Sequence, residues 1–159
     1  AIAEQAEKDR QSFDPIYNVP LNEHCSQREF LSHAAIEATR LLGVEGIITA
    51  SKSGYTARCL ATYRGPKPIL AICYNEKTQR WLNLSYGVIA VYQKEHASSD
   101  VIFRAALRML RQKGYLKNED KVAYLSGSLD NLGEGTTFLE INKVNEVFDL
   151  RYQFHLPEE

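Results

Sequence analysis

Four short runs in this chain are apolar with little alternation: residues 46–50, 69–73, 88–92 and 122–125. A strand with one face in water alternates apolar and polar side chains. Continuous runs instead indicate strands covered on both faces, as in a parallel sheet. Helical stretches separate the runs, over residues 54–63, 75–82 and 98–113. Strands and helices in alternation give an α/β sandwich with right-handed crossovers. The stretch 136–144 follows strand 121–126 after a glycine-rich loop, with no room for a helix, so it is expected to return antiparallel.

Ahead of these runs, Ser26-Gln27-Arg28-Glu29 has the form of a capping box. Phe30, Leu31, Ala34, Ala35, Ala38, Leu41 and Leu42 continue at helical spacing, and Gly43 is placed to end that helix. Residues 12–25 contain Pro15, Asn18, Pro20 and Asn22 without periodicity and read as a linker. Residues 1–11 are charged and helix-like and begin without Met, which suggests a longer parent. At 159 residues the chain holds one well-buried core. A net charge of −1 gives no global field for nucleic acid or an anionic membrane, so neither is expected as a partner. No signal peptide or membrane-length apolar run is evident. Cys25, Cys59 and Cys73 fit neither a disulfide framework nor a zinc site, and read as reduced thiols in a cytoplasmic protein.

Ser51, Lys52, Ser53, Gly54 and Thr56 lie between a strand and a helix. Hydroxyls, backbone N–H groups and a positive helix end would converge there on a phosphate, although Ser51 or Ser53 could equally serve as a plain helix N-cap. The spacing is not that of a Walker loop. A second glycine cluster, residues 127–137, lies at the same expected sheet edge, where open α/β sheets take ligands. Arg104, Arg108 and Arg111 share one face of helix 98–113, opposite Ile102, Phe103, Ala106, Met109 and Leu110, and read as a solvated stripe. His24, His33, His96 and His155 show no metal-ligand spacing, and no acid–base pair or nucleophile triad emerges, so no catalytic residue or metal ligand is assigned.

The segments at residues 47–58 (IITASKSGYTAR), 63–71 (YRGPKPILA), 80–88 (RWLNLSYGV), 114–120 (GYLKNED) and 133–137 (GEGTT) together resemble the C-terminal domain of pyruvate kinase. Residues 1–8 are similar to the helix that closes that family's catalytic barrel. The resemblance implies a three-layer α/β/α unit with a mixed, mostly parallel five-stranded sheet whose last strand is antiparallel. The family moves phosphoryl from phosphoenolpyruvate to ADP with magnesium and potassium. The resemblance implies that those ions belong to a barrel outside this chain, with no cofactor in the chain itself. It also implies a partnership with that barrel, a homotetramer, and a pocket for a sugar-phosphate effector. Carried over, Ser51, Lys52, Ser53, Gly54 and Thr56 align with the effector-phosphate loop, and Gly133, Gly135 and Thr136 with a covering loop. Tyr55 stands where arginine is common, Ile102 lies near another arginine's position, and the covering loop holds Asp130 and Glu134 but no Lys or Arg. With Lys52 as the clear cation, a bisphosphate is not expected, and either a sugar monophosphate or no effector remains open.

The leading expectation is the regulatory and assembly domain of a pyruvate kinase, over residues 26–144, with 1–11 a remnant of the barrel-closing helix and 12–25 a linker. A self-standing phospho-ligand-binding module and a small thiol enzyme using Cys59 or Cys25 are the rival readings. Residues 145–159 form an extension. Within it Phe148, Leu150, Tyr152, Phe154 and Leu156 alternate with polar residues, which predicts an extra strand over residues 146–156.

Overall fold

The computed structural model describes residues 2, 4–6, 8, 21–94, 99–127 and 135–148. Residues 2, 4–6 and 8 are helical. The elements then run in the order α1 (Gln27–Leu41), β1 (Val44–Ser51), α2 (Tyr55–Thr62), β2 (Ile69–Cys73), α3 (Glu76–Leu82), β3 (Val88–Tyr92), α4 (Ser99–Gln112), β4 (Lys121–Ser126), β5 (Phe138–Lys143) and α5 (Val144–Phe148). All five strands form one sheet in the order β3-β2-β1-β4-β5. β1 pairs in parallel with both β2 and β4, β2 pairs in parallel with β3, and β5 returns antiparallel to β4.

The continuous apolar runs are explained by what covers them. On one face Ile47, Ile69, Ala71, Cys73, Ala123 and Leu125 pack with Ala35 and Ile36 of α1, Ala57 and Leu60 of α2 and Leu82 of α3. On the other, Ile48, Leu70, Ile72, Val122 and Tyr124 pack with Phe103, Ala106, Leu107 and Leu110 of α4 and with Val144 and Val147 of α5. This is the expected three-layer α/β/α arrangement. Tyr124 is stacked on Phe103 with ring centroids 4.2 Å apart, which fixes α4 against the sheet.

The capping box forms as expected. Glu29 N–H donates to Ser26 Oγ at 3.2 Å, and Ser26 N–H donates to Glu29 Oε2 at 2.7 Å. The chain then leaves α1 through Gly43 at φ +67°, a left-handed conformation that glycine adopts without penalty.

The expected strand over 146–156 is corrected in its first residues. Glu146, Val147 and Phe148 are helical, and the rest of that segment lies outside the described residues. The pairing of Lys143 with Lys121 exhausts β4. Val144 N–H then bonds Asp120 C=O and Asn145 N–H bonds Asn118 C=O, at 2.9 and 3.0 Å. These bonds turn the backbone out of the sheet. Val144 and Val147, three apart, then share a helical face buried against α4.

Two tests follow from this packing. The Thr49 hydroxyl on β1 is fully buried and has no hydrogen-bond partner among the described residues. Thr49→Val removes that orphan at nearly constant shape and should raise stability by about 1 kcal/mol, read as a melting temperature a few degrees higher. A clear loss would mean that the hydroxyl is satisfied. The capping bond from Ser26 N–H holds the Glu29 carboxyl below its ordinary range. A depressed folded-state pKa contributes stability above the unfolded value, lost as pH falls through the folded one. The parent should therefore exceed Glu29→Gln in stability at neutral pH, with the gap closing on acidification below the usual carboxylate range. A gap independent of pH would contradict this.

Candidate functional site

β1 ends at Ser51, in the middle of the sheet and at its carboxyl edge. The next three residues reverse the chain into α2. Gly54, at φ +76°, is the N-cap of α2. A Cβ at Gly54 would lie 3.0 Å from Leu82 Cδ2, so both the left-handed backbone and the close approach of α3 call for glycine. Neither Ser51 nor Ser53 is the N-cap, contrary to the simpler sequence reading. Ser51 Oγ instead accepts from Gly54 N–H at 2.8 Å, and Ser53 Oγ accepts from Tyr55 N–H at 3.4 Å. The hydroxyl protons of both serines remain able to donate elsewhere. The exposed Lys52 is set by its backbone, where its carbonyl accepts from Thr78 Oγ1 of α3 at 3.3 Å.

Thr56 and Thr136 are both buried, and their hydroxyls are hydrogen-bonded at 2.9 Å across 80 residues of sequence. This bond draws the start of β5's approach onto the first turn of α2. At the same neck, a Cβ on Gly127 would lie 2.2 Å from the carbonyl oxygen of Gly135, a separation that only glycine permits. Thr137 N–H bonds Ser126 C=O at 2.9 Å and closes the neck. The structure thus brings Ser51, Lys52, Ser53, Gly54, Thr56, Gly135 and Thr136 to one edge. Gly133 lies outside the described residues.

Electrostatically, this edge offers hydroxyls, the N-terminal end of an eight-residue helix and one lysine. That combination suits a compact anion. Among the described residues no group of three or more His, Cys, Asp or Glu side chains could hold a metal ion. Burial raises the Cys59 thiol above its ordinary range. Burial pushes Cys73 up to about 11. A nucleophilic thiol requires the opposite displacement, which counts against Cys59 in the thiol-enzyme reading. A groove lined by Glu45, Lys67, Tyr115, Lys117 and Asp120 lies at the amino edge, with Lys67 bonded to Glu45 at 2.6 Å.

Sequence reasoning missed a surface series on the α1–α3 side. The Arg28 guanidinium lies over Tyr55 at 4.4 Å, and that of Arg58 lies over Trp81 at 4.5 Å. No local spacing reports such stacking between helices. The stripe on α4 takes a specific form. Arg108 and Arg111 lie over the Phe148 ring at 5.8 and 5.0 Å, and Arg111 donates to Asn118 Oδ1 at 3.0 Å.

The Thr56–Thr136 bond can be tested by itself. Thr56→Val and Thr136→Val should each cost roughly 1 kcal/mol, and a double-mutant cycle should return a coupling energy of similar size. Gly54→Ala should cost about 1–2 kcal/mol or more from the positive φ alone. Additive threonine variants would mean that the two hydroxyls do not communicate.

Comparison with known proteins places this arrangement. No helix among the described residues is long and apolar enough to cross a membrane. The chain is 35% identical over 121 residues to a pyruvate kinase of Borreliella burgdorferi, covering 75% of this chain and 25% of that protein. It is 34% identical over 99 residues to the Lactobacillus delbrueckii subsp. bulgaricus enzyme, covering 62% of this chain and 17% of that one. In fold it matches a solved pyruvate kinase of Cryptosporidium parvum in complex with ADP, with a TM-score of 0.74, 20% identity, and coverage of 81% of this chain and 26% of the other. The chain thus spans a quarter or less of the length of these two curated relatives. Residues 29–141 match the family model for the pyruvate kinase alpha/beta domain, and the chain belongs to that family.

Proposed function

We propose that this chain is the C-terminal regulatory and subunit-assembly domain of a cytoplasmic pyruvate kinase. The parent would transfer phosphoryl from phosphoenolpyruvate to ADP on a barrel domain outside these residues, with magnesium and potassium bound there. The observation that carries the regulatory part is the loop of residues 51–56 at the carboxyl end of the central strand. It combines Lys52, three hydroxyls and a helix N-terminus, and the Thr56–Thr136 bond holds the covering segment against it. A sugar monophosphate fits this loop better than a bisphosphate. Its phosphate would be met by Lys52 and the hydroxyl protons of Ser51, Ser53 and Thr56, whereas a second phosphate has no comparable cation in the loop. The assembly part draws support from β5. It is an edge strand whose backbone is bonded by no side chain among the described residues, so it can accept another strand in a homo-oligomer.

Two measurements test this reading. The isolated chain, given phosphoenolpyruvate, ADP, magnesium and potassium, should form no pyruvate above background. In the full-length parent, Lys52→Ala should raise the sugar-monophosphate concentration for half-maximal response roughly tenfold, as expected for losing a charge-assisted bond. Pyruvate formation by the chain alone would overturn the division of labour. An unchanged response would remove the loop as the effector site.

A further inference from the structure

A five-stranded open sheet has two edges, and here they are finished differently. β3 forms the edge opposite β5. The carbonyl of Gly87 accepts from Ile69 N–H at 2.8 Å, and Gln93 N–H donates to the Cys73 carbonyl at 2.9 Å. Backbone groups alternate in direction along a strand. Gly87, Ile89, Val91 and Gln93 therefore face β2, while Val88, Ala90 and Tyr92 face outward.

These outward groups are what an added strand would need. The Val88 N–H already donates to the Ser85 carbonyl at 3.3 Å. At the centre of the strand, Asn83 Oδ1 accepts from Ala90 N–H at 3.1 Å, and Gln79 Nε2 donates to the Ala90 carbonyl at 3.3 Å. Gln79 lies on α3 and Asn83 is its C-cap, one helical turn later, so both amides reach the same strand residue. Together the two side chains imitate the paired donor and acceptor of a neighbouring strand. No such bond reaches the backbone of β5 among the described residues.

We propose that Gln79 and Asn83 are a stop against strand addition at β3, so that a second copy of this chain is received at one sheet edge only. The physical reason lies in closure. If the β5 edge of one copy could add to the β3 edge of the next, the contact would be head-to-tail and need not close, and open-ended growth would follow. With the centre of β3 already satisfied at Ala90, association at β5 would meet only another β5, an isologous contact that closes at two subunits. The inference rests on the strand order and these bonds and does not depend on the ligand-loop reading.

The test uses the full chain carrying Gln79→Met together with Asn83→Ala, compared with the parent by sedimentation over a concentration series. The variant should form species that grow with concentration beyond any that the parent forms. A folded variant with the parent's sedimentation at every concentration would overturn the proposal. Amide hydrogen exchange at Ala90 reads the bond itself, and Asn83→Ala should accelerate it roughly five- to tenfold. Equal exchange in both proteins would also overturn the proposal. If the double variant does not fold, Gln79→Met alone keeps the side-chain length and removes the Nε2 donor to Ala90 while Asn83 stays in place. It should give the same growing species at higher concentration, and their absence would count against the stop.

Discussion

β1 is hydrogen-bonded to a parallel neighbour on each side and packed by helices on both faces. A strand so enclosed presents its side chains to the core and keeps chemistry for its ends. Ile47 and Ile48 are fully buried on opposite faces, and even Thr49 is sealed. At Ser51 this enclosure stops. The reversal into α2 then has to be sharp, because α2 must return across the sheet to cover Ile47. Gly54 in the left-handed region makes that reversal, with Leu82 of α3 packed beneath it. The hydroxyls, the lysine and the helix end are gathered at one point by the requirement that the core be covered.

The far side of the same edge is set by β4 and β5. β5 is antiparallel, so the segment joining it to β4 begins and ends at the carboxyl edge. The Gly127–Gly135 approach narrows the neck of that segment, and Thr136 is carried onto Thr56. A hydroxyl can donate and accept at once. Thr136 can therefore donate to Thr56 while Thr56 donates to an anion, which would link the covering segment to whatever the loop holds. In the proposed function, this link is how a ligand at the edge of the domain would be felt by the β4–β5 segment.

Much of the architecture was legible because it is written locally. The two strands Ile69–Cys73 and Val88–Tyr92 coincide with their apolar runs, and the capping box at Ser26 and Glu29 marks the start of α1 within a residue. The antiparallel return of β5 followed from loop length. The loop residues 51–56 were also visible as a pattern, although the pattern offered Ser51 or Ser53 as a possible cap where the backbone uses Gly54. What escaped was long-range. The Thr56–Thr136 bond joins positions 80 apart, and the Asn83 and Gln79 bonds to Ala90 depend on how α3 lies along β3. The period-two pattern beginning at Phe148 was read as strand from Glu146 onward. Residues 146–148 are helical because β4 has no backbone left to pair and Val144 and Val147 find cover against α4.

The proposed function puts any anion that this domain binds at the end of β1 and not on the arginine stripe of α4. The direct measurement is a titration of the isolated chain with inorganic phosphate and then with a sugar monophosphate, following backbone amide resonances. Saturable shifts are expected, centred on Gly54, Tyr55 and Thr56, where N–H groups crowd the start of α2, with smaller ones at Thr136 through its bond to Thr56. Shifts centred on Arg104, Arg108 and Arg111, with the amides of residues 51–56 unmoved, would contradict it.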